Sequence, residues 1–434
     1  MVGKCAIRGE HGASGRSSGR RAPLCWLSLA PLLLGSLAGC DGFGAGSGIR
    51  PPRAVDAAAL VHTSTLRDAD PGQPFTVTAQ PGATLTDVTL TSPDGRLVAG
   101  ALDQDGHGWH STARLVPGTH YAARIAVSDG HGGRGEETAD VSTKAADRLL
   151  TATLGPDPAR AVYGVGEPLT VQLSEAVDDP KARAEVEGDL SVVSDPPVTG
   201  AWHWVDGKNL HFRPQEYWPA NTTVKLGYDA QGHAIDGHGL YGGAPVSVSF
   251  RTGDRVEAIV DAAAHQLTFK RNGTVTATIP VTTGRPGFDT RNGVKVVLSK
   301  EREVEMKSET IGIAKDSSDS FDLKVEWATR VTWSGEYVHA APWSVSSQGV
   351  ENVSHGCTGM TTAYAKWFFE QTRVGDIVQV INSRGHQMEP FGNGFGDWNV
   401  AWDAWLRGSA LGRTVDTTAP APEPQAAATL HPQS

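Results

Sequence analysis

Short runs of alternating apolar and polar residues, separated by turn-forming residues, dominate the chain from about residue 56 to residue 385. The segment VSVSF at 246–250 alternates with a period of two, which places successive side chains on opposite faces of a β-strand. The 51 glycines and 26 prolines supply turns between such runs. The sequence therefore predicts a mainly β chain.

Two successive blocks each have about the length of an immunoglobulin-like sandwich, which uses ~100 residues. The first, 56–145, contains the runs FTVTAQ, TLTDVTLT and YAARIAVSDG, and the second, 146–252, contains PLTVQLSEAV and TTVKLGYDAQG. Neither block contains cysteine, so each must be held together by its apolar core alone. We expect two immunoglobulin-like β-sandwich modules at these positions.

The tetrapeptide DGHG occurs three times, starting at Asp105, Asp129 and Asp236. Asp-Gly pairs form hairpin turns, whereas Asp and His side chains bind metals only when they converge in space. The three copies lie in different strand contexts, so we interpret them as turns and predict no metal site.

The N-terminus has the residue order of a secretory signal. Basic residues between Lys4 and Arg21 precede the apolar run PLCWLSLAPLLLGSLAGC, which ends at Cys40. The last four residues, LAGC, resemble a bacterial lipobox, whose cysteine becomes the lipidated first residue of the mature chain. The resemblance implies a lipoprotein signal peptide at 1–40, and a flexible Gly- and Pro-rich linker follows at 41–55. An ordinary cleaved signal or an uncleaved anchor is the alternative.

Cysteine usage singles out one thiol. Of the four cysteines, Cys5 and Cys25 lie in the predicted signal peptide and Cys40 would carry lipid, which leaves Cys357 without a disulfide partner. An unpaired thiol in an exported protein is a candidate nucleophile. The alternative is a buried structural cysteine that packs as a small apolar residue.

Two histidines flank this thiol, His339 in YVHAA and His355 in SHGC. A free thiol has a pKa of ~8.5, so it needs a base at neutral pH, and imidazole suits that role. His355 lies ~6–7 Å along an extended chain from Cys357, whereas the strand carrying His339 can fold alongside. Gly356 permits a tight backbone path beside the N–H groups of an oxyanion hole. A helix predicted at 361–372 would begin a few residues later, where its dipole would favour the thiolate.

The segment HAAPWSVSSQGVENVSHGC resembles the signature of the L,D-transpeptidase family, which has a YkuD-type catalytic domain. The match extends through MKSETIGI and GDWNVAWDAWLRG, and the organisation is similar to that of actinobacterial lipoprotein-type members with two immunoglobulin-like modules. The resemblance implies a β-rich catalytic domain at 253–385 with one or two helices, and a C-terminal extension at 386–410 that packs on it. Residues 411–434 are predicted to be a disordered tail.

The resemblance also assigns roles by position. Cys357 matches the acylated nucleophile and His339 matches the base that takes its proton. His355 and Gly356 match the loop that shapes the oxyanion hole. The residues expected to bind substrate are Met306, Phe321, Ala340, Trp343, Ser354, Thr358 and Gly359.

Three departures from the family pattern involve four residues. Ala340 stands in place of a serine, but its carbonyl can still orient the imidazole. Phe321 replaces a tyrosine on the lid and lacks its hydroxyl. Thr358 and Gly359 stand where the family has an apolar residue followed by Arg or Asn, which puts substrate positioning in question.

The resemblance implies a two-step acyl transfer without a cofactor. The Cys357 thiolate would attack the carbonyl of the third residue of a peptidoglycan tetrapeptide stem and release D-alanine. A side-chain amine of a neighbouring stem would then attack the thioester and form a 3→3 cross-link. The family also implies acylation by carbapenems and a location on the extracytoplasmic face of the membrane, anchored by lipid and reaching into the cell wall.

Two other readings remain open. An exported cysteine peptidase or sortase-like enzyme is one, although papain-type peptidases place histidine after cysteine and sortases need an arginine such as Arg373 or Arg384. A cell-wall-binding lipoprotein with a degenerate catalytic domain is the other. The net charge of −10 argues against a nucleic-acid partner, and the sequence gives no oligomeric state.

Overall fold

The computed structural model describes residues 52–420, which form two β-sandwich modules followed by a third β-rich domain. The predicted signal peptide, Cys40, most of the linker and residues 421–434 lie outside the described residues. Within the described part of the chain, no helix is long and apolar enough to cross a bilayer.

Eight strands build the first module: β1 (Arg53–Ala54), β2 (Val61–Thr63), β3 (Thr76–Ala79), β4 (Thr84–Thr91), β5 (Gly100–Leu102), β6 (Gly108–Ser111), β7 (His120–Ser128) and β8 (Gly133–Ser142). One sheet has the order β1-β8-β7-β4 and the other β2-β3-β6-β5. Along β7, Tyr121, Ala123, Ile125 and Val127 are buried and alternate with more exposed residues. The apolar residues that alternate with a period of two therefore form the core of this module.

The second module comprises β9 (Arg148–Leu150), β10 (Ala152–Gly155), β11 (Val162–Tyr163), β12 (Leu169–Leu173), α1 (Pro180–Gly188), β13 (Leu190–Asp195), β14 (Thr199–Trp204), β15 (Asn209–Pro214), β16 (Thr223–Tyr228), β17 (Leu240–Gly242) and β18 (Val246–Thr252). Strands β10-β12-β15-β14 form one sheet and β11-β18-β16-β13 the other. The sequence did not predict α1. It begins with an Asp179 cap, whose carboxylate accepts the Ala182 N–H at 2.8 Å, and with proline at the first helical position.

The three DGHG segments are turns, as the sequence predicts. In each, the aspartate Oδ1 accepts the N–H two residues later, at 2.9 Å for Asp105, 2.8 Å for Asp129 and 2.7 Å for Asp236. The following glycines have positive φ angles, which suits the tight turn.

The third domain contains β19 (Val256–Asp261), β20 (Gln266–Arg271), β21 (Thr274–Pro280), β22 (Gly293–Val296), β23 (Ser299–Lys307), β24 (Asp322–Arg330), β25 (Tyr337–Ala340), β26 (Thr358–Met360), α2 (Thr362–Gln371) and β27 (Ile377–Ile381). The sheets have the orders β21-β20-β19-β27-β22 and β23-β24-β25-β26. The predicted helix is confirmed as α2, where the Thr361 hydroxyl accepts the Tyr364 N–H. Asn-Gly favours hairpin turns, and Asn272-Gly273 joins β20 to β21 in such a turn with φ angles of 48° and 80°.

The C-terminal extension packs on the second module as well as on the third domain. Trp405 in α3 (Trp402–Leu406) is fully buried, and its indole N–H donates to the Ala201 carbonyl of β14 at 2.9 Å. Beyond it, β28 (Val415–Asp416) pairs antiparallel with β14. The expectation of disorder is therefore wrong for this first part of the tail, because the edge of β14 offers unpaired main-chain groups that a short strand can satisfy.

The second module and the third domain share one apolar core. Val294, Val374 and Ile377 of the third domain belong to the buried cluster of the second module. The Gly164 N–H donates to the Val374 carbonyl at 2.8 Å. A Cβ on Gly164 would lie 2.1 Å from the Asp376 nitrogen, so this close approach requires glycine.

Candidate active site

Two adjacent parallel strands bring His339 next to the Cys357 loop. His339 lies in β25 and pairs with Gly359 of β26, two residues after Cys357. Neighbouring strands lie about 4.8 Å apart, so this pairing places His339 beside a residue 20 positions later in the sequence and close to the Cys357 loop. Because β26 separates Cys357 from α2, the thiol does not lie at the helix N-terminus, contrary to the expectation of a helix-dipole effect.

The Cys357 thiol is half-buried and lies between two cavities. The larger has a volume of about 850 Å³ and the smaller about 240 Å³. Four residues line both of them: Met306, Phe321, His355 and Cys357. The thiol donates a hydrogen bond to the Gly335 carbonyl, with 3.5 Å between sulfur and oxygen. Two reactants can therefore approach the sulfur from different sides.

His339 lines the smaller cavity together with Cys357 and is only 5% exposed. Its Nδ1 lies 2.7 Å from the Ala340 carbonyl oxygen. Because a carbonyl can only accept, Nδ1 carries the hydrogen and Nε2 keeps its lone pair. The Trp343 ring lies over this side of the imidazole, with 6.1 Å between ring centroids. The imidazole is thus held in the tautomer that a general base needs.

Burial favours neutral forms of both groups. It raises the pKa of the Cys357 thiol to about 12; the Tyr337 N–H and the Lys295 ammonium oppose this rise, and the Glu336 carboxylate adds to it. Burial also lowers the pKa of His339 below its ordinary value, although the bond to the Ala340 carbonyl opposes the change. A neutral thiol that shares a cavity with a neutral imidazole is a suitable starting state for base-assisted nucleophilic attack.

The loop before the thiol is fixed by its own hydrogen bonds. Gly356 has a φ angle of 117°, which residues with a side chain rarely adopt. Its N–H donates to the Ser354 hydroxyl at 3.1 Å, and this hydroxyl donates to the Cys357 carbonyl at 2.7 Å. The Thr290 hydroxyl donates to the Gly356 carbonyl at 2.8 Å. Within residues 52–420 the Cys357 N–H makes no hydrogen bond, so it is a main-chain donor available to bind an oxyanion.

His355 contacts the lid, the connection between β23 and β24 at 308–321, through Arg285 and through the Phe321 ring. An Arg285 Nη2–H donates to His355 Nε2 at 3.0 Å, and Arg285 also pairs with Asp319 of the lid. The His355 ring packs against Phe288 and Phe321, with centroid distances of 4.7 and 5.0 Å. Burial and the Arg285 charge lower its pKa. Since its acceptor nitrogen is already occupied, His355 serves as a cavity wall and lid contact rather than as a base.

The other predicted substrate-binding residues divide into two groups. Trp343, Ser354 and Gly359 line the smaller cavity, and Trp343 is 53% exposed. Ala340 and Thr358 are buried and line neither cavity, so the structure differs from the prediction at these two positions. Their side chains point into the core because β25 and β26 are interior to the fold, and Ala340 contributes its carbonyl instead.

Gly359 occupies a position without room for a side chain. An added Cβ would lie 2.9 Å from the Ala341 Cβ and 3.1 Å from the Thr282 Cγ2. The packing around Gly359 therefore leaves no room for a long polar side chain at this position.

Two buried charges beneath the thiol were missed by the sequence interpretation. Lys295 is fully buried and its Nζ lies 2.5 Å from Glu336 Oε2. Glu336 also lines the larger cavity. The available signal was a charged residue inside each of two apolar strand-like segments, GVKVV and SGEYVHA.

Comparison with known proteins agrees with this architecture. A family model described as a bacterial Ig domain matches residues 66–234, and one described as an L,D-transpeptidase catalytic domain matches residues 255–380. L,D-transpeptidase 2 of Mycobacterium tuberculosis (strain CDC 1551 / Oshkosh) is 33% identical over 409 residues, which cover 92% of this chain and 97% of that protein.

Solved structures of similar proteins cover about half of this chain. One is of the L,D-transpeptidase LdtMt1 in complex with imipenem, 36% identical over 54% of this chain and 99% of that chain, with a TM-score of 0.46. Another is of L,D-transpeptidase 3 from Mycobacterium tuberculosis with a faropenem-derived adduct, 32% identical over 54% of this chain and 97% of that chain, with a TM-score of 0.45.

Proposed function

Because the chain belongs to the L,D-transpeptidase family and carries its catalytic domain, we propose that it forms 3→3 cross-links between peptidoglycan stems. One observation carries the proposal: the Cys357 sulfur opens onto two cavities and shares the smaller one with a neutral His339. This arrangement supplies a nucleophile, a base and separate approaches for an acyl donor and an acceptor.

In the first step, the Cys357 thiol leaves the Gly335 carbonyl and gives its proton to Nε2 of His339. The sulfur attacks the carbonyl carbon of the third stem residue, and the Cys357 N–H stabilises the developing oxyanion. The imidazolium then returns the proton to the nitrogen of the leaving D-alanine, and a thioester remains. Starting from neutral groups, the site creates charge only after substrate has entered.

In the second step, the side-chain amine of a neighbouring stem attacks the thioester carbon. His339 accepts one proton from this amine and returns it to the departing sulfur, so the thiol is regenerated and an amide is formed. Met306 and Phe321 line both cavities and form the lid side of the site, while Trp343 covers the side nearest His339. Phe321 contributes an apolar ring here without a hydroxyl.

The purified full chain tests this proposal when it is incubated with a tetrapeptide stem and separately with imipenem. We expect release of D-alanine, formation of cross-linked dimers and one covalent imipenem adduct on Cys357, detected by mass spectrometry. Cys357→Ser should lose all three while it melts like the wild type. A folded wild-type chain that forms no adduct and releases no D-alanine would instead favour the wall-binding protein with an inactive catalytic domain.

The proposed location follows from the N-terminal residues. The LAGC sequence supports lipidation of Cys40 after signal cleavage, which would anchor the enzyme to the extracytoplasmic face of the membrane with its catalytic domain reaching into the wall. Cys40→Ala should then release the exported protein from membranes in detergent partitioning. Unchanged partitioning would reject the lipid anchor without bearing on the acyl-transfer chemistry.

A further inference from the structure

A buried ion pair lies beneath the nucleophile loop. Lys295 projects from β22, and its Nζ lies 2.5 Å from Oε2 of Glu336, which immediately precedes β25. The side chains are 0% and 8% exposed. Removing two charges from water costs free energy that their mutual attraction often fails to recover, so stability alone is a weak reason for such a pair.

Glu336 is joined to the main-chain groups around the sulfur. It lies between Gly335, whose carbonyl accepts the thiol hydrogen bond, and Tyr337, whose main-chain N–H acts to lower the pKa of the thiol. From the other side, a Cβ built on Gly356 would lie 3.9 Å from the Glu336 Cγ. A movement of Glu336 would therefore displace the two neighbouring main-chain groups that act on the Cys357 sulfur.

The charges around Glu336 are arranged to hold its carboxylate. Oε1 accepts the Arg291 N–H at 3.0 Å and lies 3.4 Å from the Arg291 guanidinium. Arg291 in turn lies 3.3 Å from Glu389. Without Lys295, the negative charge of Glu336 would lie beside the nucleophile with only this shared guanidinium to balance it.

We propose that Lys295 and Glu336 are a positioning pair for the acyl transfer: Glu336 fixes the main chain around the Cys357 sulfur, and Lys295 cancels the repulsion that this carboxylate would exert on the thiolate. The pair acts through Cys357 and not on the substrate. Its relevance to catalysis rests on the proposed function, but its effect on the thiol is measurable without any substrate.

The test is the rate of alkylation of Cys357 by iodoacetamide in the full chain at pH 9, quantified on the Cys357 peptide by mass spectrometry. Below its pKa, a thiol has ten times more thiolate for each unit by which that pKa falls. We expect Lys295→Met to slow alkylation about tenfold and Glu336→Gln to accelerate it about tenfold, because each leaves one charge uncompensated. The double variant should return to within about threefold of the wild-type rate.

A matched control is the exposed pair Lys324 and Glu303, 2.8 Å apart on β24 and β23 with side chains 71% and 50% exposed. Lys324→Met and Glu303→Gln should leave the alkylation rate unchanged. If the two buried single variants shift the rate in the same direction, or leave it unchanged, the proposal is wrong.

If a single variant does not fold by circular dichroism, the charge-conserving variants Lys295→Arg and Glu336→Asp replace it. Lys295→Arg should keep the wild-type alkylation rate, whereas Glu336→Asp, whose side chain is one methylene shorter, should shift the main chain around the sulfur and slow acylation by imipenem. A changed alkylation rate in Lys295→Arg would overturn the charge argument, and an unchanged imipenem acylation rate in Glu336→Asp would overturn the positioning argument. Opposite shifts in the buried single variants without any imipenem or stem acylation would support the pair and refute the proposed function.

Discussion

The packing around Gly359 gives a sharp prediction for Gly359→Ala, which adds one methyl group. That methyl would lie 2.9 Å from the Ala341 Cβ and 3.1 Å from the Thr282 Cγ2, both shorter than an ordinary carbon–carbon contact of ~3.5–4.0 Å. The Ala341 Cβ cannot rotate away because it is attached directly to the backbone, so β26 must move. Overpacking of this kind costs about 1–3 kcal/mol.

Thermal unfolding and acylation report two consequences of this movement. At about 2–4 °C for each kcal/mol in a domain of 150–250 residues, the melting temperature of the catalytic domain should fall by about 2–12 °C. Because Gly359 pairs with His339, displacement of β26 also changes the approach of the base to the thiol. Acylation by imipenem should slow by about ten- to a hundredfold.

Gly188→Ala is the matched control, since it adds the same methyl group at the end of α1. A Cβ at Gly188 meets nothing within 4 Å, and its φ angle is not in the left-handed region. Restricting the unfolded chain should make this variant more stable by about 0.4–1 kcal/mol, with no change in acylation. A Gly359→Ala protein that melts at or above the wild-type temperature and acylates at the wild-type rate would refute the packing argument.

Three further predictions concern titrating groups. His339→Ala should slow acylation of Cys357 about 10²–10⁴-fold in a folded protein because the base is lost; a wild-type rate measured by mass spectrometry would exclude His339. The acylation rate should fall on the acidic side with a midpoint below pH ~6.5, because burial lowers the pKa of His339 and keeps its imidazole neutral at lower pH. A midpoint above that value would contradict this. Burial raises the pKa of Glu167 from 4.5 to about 8, and the Asp397 charge adds to the rise. Between these two pH values the folded state keeps a proton that the unfolded state has released. The free energy of unfolding therefore falls as pH rises through this window. Glu167→Gln should therefore raise the melting temperature more at pH 8 than at pH 5, and an equal gain at both would be evidence against it.

Structural features that depend on residues adjacent in the sequence were predictable. The alternation of VSVSF gives β18, the Thr361 hydroxyl begins α2, and Asn272-Gly273 forms the hairpin turn. Each depends on local backbone preferences that no distant contact overrides. The thiol and the first histidine were also identifiable, because an unpaired cysteine near histidines narrows the chemistry that a site can perform.

Features that depend on distant contacts were not predictable. Lys295 and Glu336 are 41 residues apart, and only the folded sheets show that each is the partner of the other. The pairing of β28 with β14 joins residues more than 200 positions apart, and the Pro-rich sequence of the tail gives no local indication of it. The occupied N–H of Gly356 depends on the Ser354 rotamer, which no spacing rule gives.

The joint core of the second module and the third domain has a practical consequence for anyone wishing to shorten this enzyme. A chain that begins near residue 253 would lack the second-module residues that bury Val294, Val374 and Ile377. It would also lack the Gly166 carbonyl that accepts the Trp398 indole N–H. The newly exposed surface would be apolar and prone to self-association. The smallest well-behaved recombinant fragment should therefore begin near residue 148, with the second sandwich retained as part of the catalytic unit.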